Sequence, residues 1–510
     1  MFARLGRWCH DHRRWVLAMD MLIMQISFVT GLAIGAASVV AVTMVASVTL
    51  LPALLGFAGP KVEVTRWRGL IAAGTVALGL VAVALVAPSV GLALFGAALV
   101  VLVAGFFVGP LKREVRMRSR RAPEDTFSYR WSRAVQHHPV RSLLVGGLFL
   151  VVLALPVFGL RLGFSDEGNY SDGTDTRVAY DLLAEGFGPG FNGPLIVATD
   201  LTEGTDPGSL AEVTAALNDD EGVVVAAGPE ISEDGGAARW FVIPTTAPQD
   251  AATTDTVNRL RDDVLPDPEA AAEIDTAVTG SVAIQVDFAE YLSARLLYFF
   301  GAVLALSFLL LMVVFRSLLV PLKAVLMNLL SIGAAFGVVV AGFQWGWLGR
   351  LMGFDGAPIE PFLPMMLFAI VFGLSMDYEV FLLSRVKEEY DKTGDSHLSV
   401  ANGLAATARV ITAAALIMVF VFGSFLLEND RVIKLFGTGL ATAVLLDATI
   451  VRMLLVPATM ELLGDRNWWL PKWLDRILPR VDVEGSVEAL EDPDDPDATP
   501  GTPDRELEPV

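Results

Sequence analysis

The chain has 510 residues, 54% of them hydrophobic, with several apolar runs as long as the roughly 20 residues a bilayer-spanning helix needs, which excludes a soluble globular protein. Its formal charge of −20 is localised: residues 161–290 hold 26 acidic against 5 basic side chains and residues 481–510 hold 11 against 1, so these two stretches carry −31 and the remainder +11. The basic residues sit beside apolar segments, where membrane orientation explains them better than a nucleic-acid partner, and Cys9 as the single cysteine rules out an intramolecular disulfide or a cysteine-based metal site.

Ten apolar segments can be marked in chain order, at 16–34, 36–58, 69–87, 89–109, 142–160, 295–316, 319–343, 362–384, 405–427 and 433–460. Asp20 and Gln25 weaken the first, which reads as an uncleaved membrane entry. With Arg4, Arg7, Arg13 and Arg14 inside, every later inside loop is basic: Lys61, Arg66 and Arg68; Lys112 to Arg121; Arg316 and Lys323; Arg385, Lys387 and Lys392; Arg466, Lys472 and Arg480. The large acidic segment 161–294 then lies outside.

That segment reads as an α+β domain. Strand patterns occur at Leu195-Ile196-Val197-Ala198, Val223-Val224-Val225-Ala226, Trp240-Phe241-Val242-Ile243 and Asp275-Thr276-Ala277-Val278, with helical patterns near 177–187, 209–217 and 252–264. Their order approximates a split βαβ sandwich of ferredoxin-like type. Gly186, Gly188, Gly190 and Gly193 suit a flexible loop there, and surrounding acids make a phosphate cradle improbable. The tail from Val481 is acidic and Pro-rich, with the composition of a disordered segment.

An internal repeat is visible but unequal. Residues 31–56 resemble 436–464, aligning Pro52 with Pro457 at an offset of 405, whereas Arg7-Trp8-Cys9-His10-Asp11-His12 resembles Arg133-Ala134-Val135-Gln136-His137-His138 at an offset of 126. The offsets differ by 279, so the first half reads as a repeat lacking its middle, joined near Ala18-Met19. The chain thus divides into 1–60 (remnant of the first repeat), 61–126 (two extra apolar helices and a basic linker), 127–160 (entry and first helix of the second repeat), 161–294 (outside domain), 295–470 (C-terminal bundle) and 471–510 (acidic tail).

Asp377 is the most informative single residue. It stands two thirds of the way down the apolar segment Phe372-Gly373-Leu374-Ser375-Met376-Asp377-Tyr378-Glu379-Val380-Phe381-Leu382, and a carboxylate at such depth costs roughly 2.5–3.5 kcal/mol on insertion scales, which marks it as functional. Asp377 reads as a titrating group oriented by the Tyr378 hydroxyl. Ser375, about 200° around the helix, reads as a helix contact, and Phe381 either as a cover over the Asp377 face or as plain core packing. Glu379 reads as solvated near the inside surface. Asp447 lies mid-segment; Arg452, about 140° further round, is no ideal same-face partner and reads as snorkelling, leaving Asp447 to find another partner such as the Asp377 helix. The aligned first-repeat positions, Val42 and Ser47, carry no charge. His10, His12, His137 and His138 read as interfacial, no Walker-type loop is present, and no catalytic, metal or cofactor constellation is implied.

The run at 373–385, from Gly373 through Asp377-Tyr378 to Arg385, resembles the Asp-Tyr helix of the MmpL (mycobacterial membrane protein large) branch of the resistance-nodulation-division superfamily. The run from Asp447 to Ala458, with Asn467-Trp468-Trp469, resembles its last helix, and Gly163-Phe164-Ser165-Asp166 the opening of its porter domain. The resemblance covers 127–470 and, in two pieces, 1–57. It implies a polytopic α-helical plasma-membrane protein with a porter-like domain, exporting lipids or other hydrophobic compounds in exchange for protons, with Asp377 and Tyr378 as proton relay and Ser375, Phe381, Asp447 and Arg452 in support. Members carry twelve such helices, two porter domains and two facing Asp-Tyr pairs, whereas this sequence holds one domain and one pair. Partners would then be a lipid-like substrate, protons, membrane lipids, and a second copy or a full-length paralogue. Two other readings stay open: a half-transporter or scaffold, and an accessory protein-translocation motor.

Overall fold

Apolar length dominates the architecture. The computed structural model describes residues 27–58, 67–85, 88–104, 107–108, 110, 127–201, 207–267, 274–349 and 353–478. The Arg7–His12 motif, the junction at Ala18-Met19, the Lys112–Arg121 loop and the tail from Val481 lie outside these residues. Among the described residues seven helical stretches are long and apolar enough to cross a bilayer: Ala37–Leu54, Pro139–Gly159, Ser281–Phe315, Leu319–Gln344, Leu363–Thr393, Ser396–Leu427 and Arg431–Trp468. Two shorter apolar stretches, Gly69–Gly79 and Leu92–Ala104, accompany them.

The N-terminal part holds α1 (Ser27–Ala58), α2 (Trp67–Leu85) and α3 (Pro88–Ala104), with α2 and α3 packed on one another. The expected break near residue 35 is absent: α1 continues through it, because no proline lies between Gly31 and Ala41 to interrupt the helix. Then follow α4 (Phe127–His137) and α5 (Pro139–Ala154). After the sheet domain come α9 (Ser281–Phe315), α10 (Leu319–Val339), α11 (Leu363–Thr393), α12 (Ser396–Gly423), α13 (Arg431–Leu446), α14 (Val456–Leu463) and α15 (Lys472–Ile477). A π-helical stretch, Asp447–Leu455, joins α13 to α14.

Helices α5 and α9 to α14 share one core centred on α10, α11 and α13, to which α1, α2 and α3 contribute no described residue. Close approach depends on small residues. At Gly337 of α10 a Cβ would lie 1.7 Å from the Leu153 carbonyl oxygen of α5, so only glycine permits that contact.

The domain between α5 and α9 contains α6 (Asp175–Phe187), β1 (Leu195–Asp200), α7 (Pro207–Asp219), β2 (Val223–Ile231), β3 (Ala237–Pro244), α8 (Ala251–Arg259) and β4 (Thr276–Thr279). The strands form one antiparallel sheet in the order β2-β3-β1-β4, with Val197 opposite Trp240 on β3 and Val278 on β4. Alternate residues Leu195 and Val197, Trp240 and Val242 point inward to meet Leu210, Val213 and Leu217 of α7. Trp240 is fully buried and its indole nitrogen donates to Thr214 Oγ1 at 2.8 Å, which satisfies its polar edge.

The glycine-rich segment after α6 is packed rather than loose: a Cβ on Gly190 would lie 1.8 Å from the Pro244 carbonyl oxygen. Helix α9 also overrides the expected boundary at 294–295. It starts at Ser281, directly after β4, and continues to Phe315 because no proline interrupts it. A second tie is a backbone bridge in which Gly163 N donates to Ile359 O and Ile359 N to Arg161 O, each at 3.0 Å.

Candidate functional site

Helix α11 sorts its polar residues onto two faces. Its buried positions, among them Val371, Phe372, Ser375, Glu379, Leu382, Leu383 and Val386, recur every three or four residues and make one stripe. Ser375 and Glu379 are four apart and share it. Asp377 stands two residues from each, on the opposite, exposed side with Phe381. Glu379 is therefore not solvated, as its sequence position suggested. Helix α11 runs on to Thr393, which leaves Glu379 well inside the helix and only 2% exposed.

Three further buried ions lie within electrostatic reach of Glu379, with no direct ion pair to it among the described residues: Lys323 of α10, and Asp447 and Arg452 of the π-helical stretch, exposed by 7%, 4% and 2%. Lys323 does not belong to an inside loop; the Leu319–Val325 stretch is already helix α10, and Lys323 Nζ turns inward to Asn467 Oδ1 at 3.5 Å. Asn467 is held in turn by the carbonyls of Met460 and Gly464, at 2.9 and 2.6 Å.

Asp447 and Arg452 form a direct ion pair, contrary to the α-helical expectation that they diverge. Arg452 Nε and Nη2 donate to Asp447 Oδ2 at 3.0 and 2.7 Å. The reason is local geometry: π-helical i→i+5 bonding from Asp447 to Leu455 brings residues five apart onto one face. Arg452 Nη2 also donates to Ser375 O at 2.6 Å, and its guanidinium lies 4.9 Å from the Tyr378 ring centroid. Arg452 is thereby committed to the core and does not snorkel. The Tyr378 hydroxyl contacts Met418 Sδ at 3.7 Å, so it does not orient Asp377; adjacent helical residues point about 100° apart. Asp377 has no hydrogen bond or ion pair among the described residues.

The cluster carries two acids against two bases, a balance that makes its burial tolerable. It is not fully satisfied. Glu379 Oε1, Asp447 Oδ1, Arg452 Nη1, Ser331 Oγ and both side-chain polar atoms of Asn328 are enclosed without a hydrogen-bond partner. Buried polar groups in native proteins are overwhelmingly paired, so this seam across α10, α11 and the π-helical stretch combines ionisable groups with spare hydrogen-bonding capacity. Among the described residues no three His, Cys, Asp or Glu side chains converge as a metal set.

A second feature lies where the sheet domain meets the bundle. A cavity of about 820 Å³ is lined by apolar residues, among them Leu160, Leu162, Phe164, Val286 and Leu296, and by polar ones, among them Arg161, Gln249, Asp255, Gln285 and Glu290. Hydrogen bonds join two of its lining residues and, outside the lining, a buried ion pair. Arg161 Nη2 donates to Gln249 O at 2.9 Å, and Arg431 Nη1 to Glu360 Oε1 at 2.8 Å, with Ser165 Oγ donating to the same oxygen at 3.0 Å. Burial holds the Glu360 carboxyl above the usual carboxylate range, against the opposing pull of Arg431. Asp166, which accepts from Tyr180 Oη at 2.7 Å, is likewise pushed up by burial.

Sequence reasoning thus missed Glu379, Lys323, Glu360 and Arg431. The first two carried a usable signal: Lys323 has apolar residues three and four positions away on both sides, and Glu379 has Met376, Leu382 and Leu383 at those spacings with Ser375 at the fourth.

A multi-span helical bundle with balanced ions buried among its spanning helices, and a mixed α/β domain at one end, has the build of a polytopic membrane protein. Comparison with known proteins agrees: the model of the MMPL family matches residues 197–481, and the chain belongs to that family, in the multi-pass inner-membrane class. It is 41% identical over 363 residues to the membrane protein YdfJ of Bacillus subtilis, covering 70% of this chain and 49% of that protein. It is 35% identical over 381 residues to a Mycolicibacterium smegmatis protein named mycolic acid-containing lipids exporter MmpL11, covering 73% and 40%. To the Mycobacterium tuberculosis protein named trehalose monomycolate exporter MmpL3 it is 28% identical over 480 residues, covering 91% and 48%. The chain therefore spans about half the length, or less, of these relatives.

Proposed function

We propose that this chain works in proton-driven export of a lipid or similarly hydrophobic compound across the plasma membrane, with the sheet domain outside as a porter-like domain of ferredoxin-like type. The order β1-α7-β2-β3-α8-β4 and the sheet order β2-β3-β1-β4 support the domain reading. The export reading leans on two relatives whose names describe lipid exporters.

One observation carries the proton coupling: ionisable side chains buried among the spanning helices, with enclosed polar atoms left unpaired. Charges at that depth are expensive and mark ion or proton routes. In this reading Glu379, Asp447, Lys323 and Arg452 bias the packing of α10, α11 and α13, while Asp377 takes up the transported proton from the exposed side of α11. The amphiphilic cavity beneath the sheet domain would receive the substrate, its polar lining residues meeting a headgroup and its apolar ones the chain. The test is export of fluorescent lipid from proteoliposomes under an imposed pH gradient, with an internal pH dye read in parallel. Export that proceeds unchanged in Asp377→Asn, with no proton flux, would reject proton coupling.

The exposure of Asp377 favours a second reading, in which that acid is completed by another polypeptide, so that the chain acts as a half-transporter beside a longer paralogue or a second copy. Affinity purification followed by identification of co-purifying family members separates the two. The sheet domain and the lipid-exporter names give no support to a protein-translocation motor.

A further inference from the structure

The end of the bundle opposite the sheet domain closes on a segment that the transport reading leaves unused. Helix α9 stops at Phe315, and Arg316 takes a left-handed conformation, φ +48°, rare for a residue with a side chain. That backbone turns the guanidinium onto the segment after the last spanning helix, where Arg316 bonds the Asp475 carboxylate, the Asp475 carbonyl at 2.7 Å and the Leu478 carbonyl at 3.4 Å. One more bond fastens the start of that segment, Leu318 N to Trp469 O at 3.3 Å, and just before it Ser317 Oγ donates to Asn467 O at 2.5 Å. The segment is thus held flat against the bundle end. Its apolar side chains are not buried by that docking: Trp469, Trp473 and Ile477, spaced four apart, are 54%, 65% and 70% exposed.

Between this segment and the bundle lies a cavity of about 360 Å³. Its lining combines apolar Val314, Phe315 and Leu470 with Trp468 and with the charged Arg316, Lys387 and Asp475. Lys387 reaches it from the charged end of α11, with Nζ 4.7 Å over the Trp468 ring and 2.8 Å from the exposed Asp391. An ammonium has three donors, so Asp391 leaves two for a further acceptor. Two cations and one carboxylate line the cavity, and the carboxylate of Asp391 that faces Lys387 lies outside the lining and is 59% exposed to solvent.

We propose that this cavity binds the phosphate headgroup of an anionic phospholipid in the adjacent leaflet, and that Trp469–Leu478 lies in the membrane plane as an interfacial anchor. The height is right, because Arg316 and Lys387 stand where apolar spans give way to charge. Exposed tryptophans that directly follow a spanning helix are the side chains that settle at headgroup level. The lipid phosphate accepts from Lys387, Arg316 supplies the second positive charge, and the first methylenes lie along Val314, Phe315 and Leu470. A zwitterionic headgroup brings its own cation and gains less. This proposal needs only that the bundle spans a membrane, so it stands or falls separately from lipid export.

The test uses the full chain in nanodiscs of phosphatidylcholine doped with spin-labelled phosphatidylglycerol or, separately, spin-labelled phosphatidylcholine. Electron paramagnetic resonance then gives the motionally restricted fraction of each. The wild type retains phosphatidylglycerol preferentially. Lys387→Gln lowers that preference about five-fold, the worth of one basic residue at an anionic surface, while Lys387→Arg keeps it. Brominated phosphatidylcholine quenches Trp473, read as the difference between the wild type and Trp473→Phe. Equal retention of the two lipids by the wild type, or an undiminished preference in correctly folded Lys387→Gln, overturns the headgroup site. Displacement of the labelled lipid by millimolar inorganic phosphate reassigns it to a free anion, and an unquenched Trp473 removes the anchor.

Discussion

Replacing Arg452 by Gln is the sharpest probe of the buried cluster. The substitution removes both bonds to Asp447 Oδ2, at 3.0 and 2.7 Å, and the 2.6 Å bond to the Ser375 carbonyl. It also leaves Asp447 and Glu379 facing Lys323 alone, two enclosed acids against one base. Breaking a buried pair by deleting one partner costs about 3–5 kcal/mol, chiefly through the uncompensated charge left behind. The double variant Asp447→Asn/Arg452→Gln restores neutrality and should recover at least about 2 kcal/mol of that loss, a coupling within the range found for contacting residues. Steric-trapping measurements of unfolding in bicelles, on the wild type, both single variants and the double, give the cycle directly. A loss below about 1 kcal/mol in the single variant, or strict additivity, would refute the claim that these residues form one balanced unit.

Other expectations concern separate parts of the molecule. Asp377→Asn should change stability by less than about 0.5 kcal/mol, because the side chain is exposed and unpaired among the described residues, while eliminating proton flux in vesicles. Gly337→Ala should abolish recovery of folded protein in detergent, since its Cβ would stand 1.7 Å from the Leu153 carbonyl oxygen; normal yield would show that α5 and α10 can separate. In the sheet domain, Arg259 donates to both Asp220 oxygens at 2.7 Å and holds that carboxyl below its usual value. A lowered folded-state value means stability fully present above the unfolded value near pH 4 and lost as pH falls through the folded one. Hydrogen exchange of the strands between pH 5 and pH 2.5 should show that loss, and Arg259→Gln should remove it. Ser293→Trp, placed at the junction cavity, should reduce lipid export while leaving the protein inserted.

Much of the fold was legible because its signals are periodic and local. Trp240-Phe241-Val242-Ile243 reads as a strand by alternation and lies in β3, and Leu195-Ile196-Val197-Ala198 lies in β1. The chemistry was less legible, for a physical reason. Assigning faces from an ideal 100° step sets Asp447 and Arg452 apart, and only the π-helical stretch brings them together. Reading depth from the distance to the nearest basic residue placed Glu379 in solvent, whereas α11 continues past Arg385 and keeps Glu379 on its buried stripe. Arg431 and Glu360 meet across 71 residues, a contact to which no local spacing points.

The most direct test of proton-coupled export is simultaneous recording of lipid efflux and internal pH in proteoliposomes holding the wild type, Asp377→Asn or Glu379→Gln. The account predicts that lipid leaves in step with proton entry in the wild type, and that both fluxes fall together, at least ten-fold, in each variant. Lipid efflux that continues at the wild-type rate in either variant while proton entry ceases would contradict it.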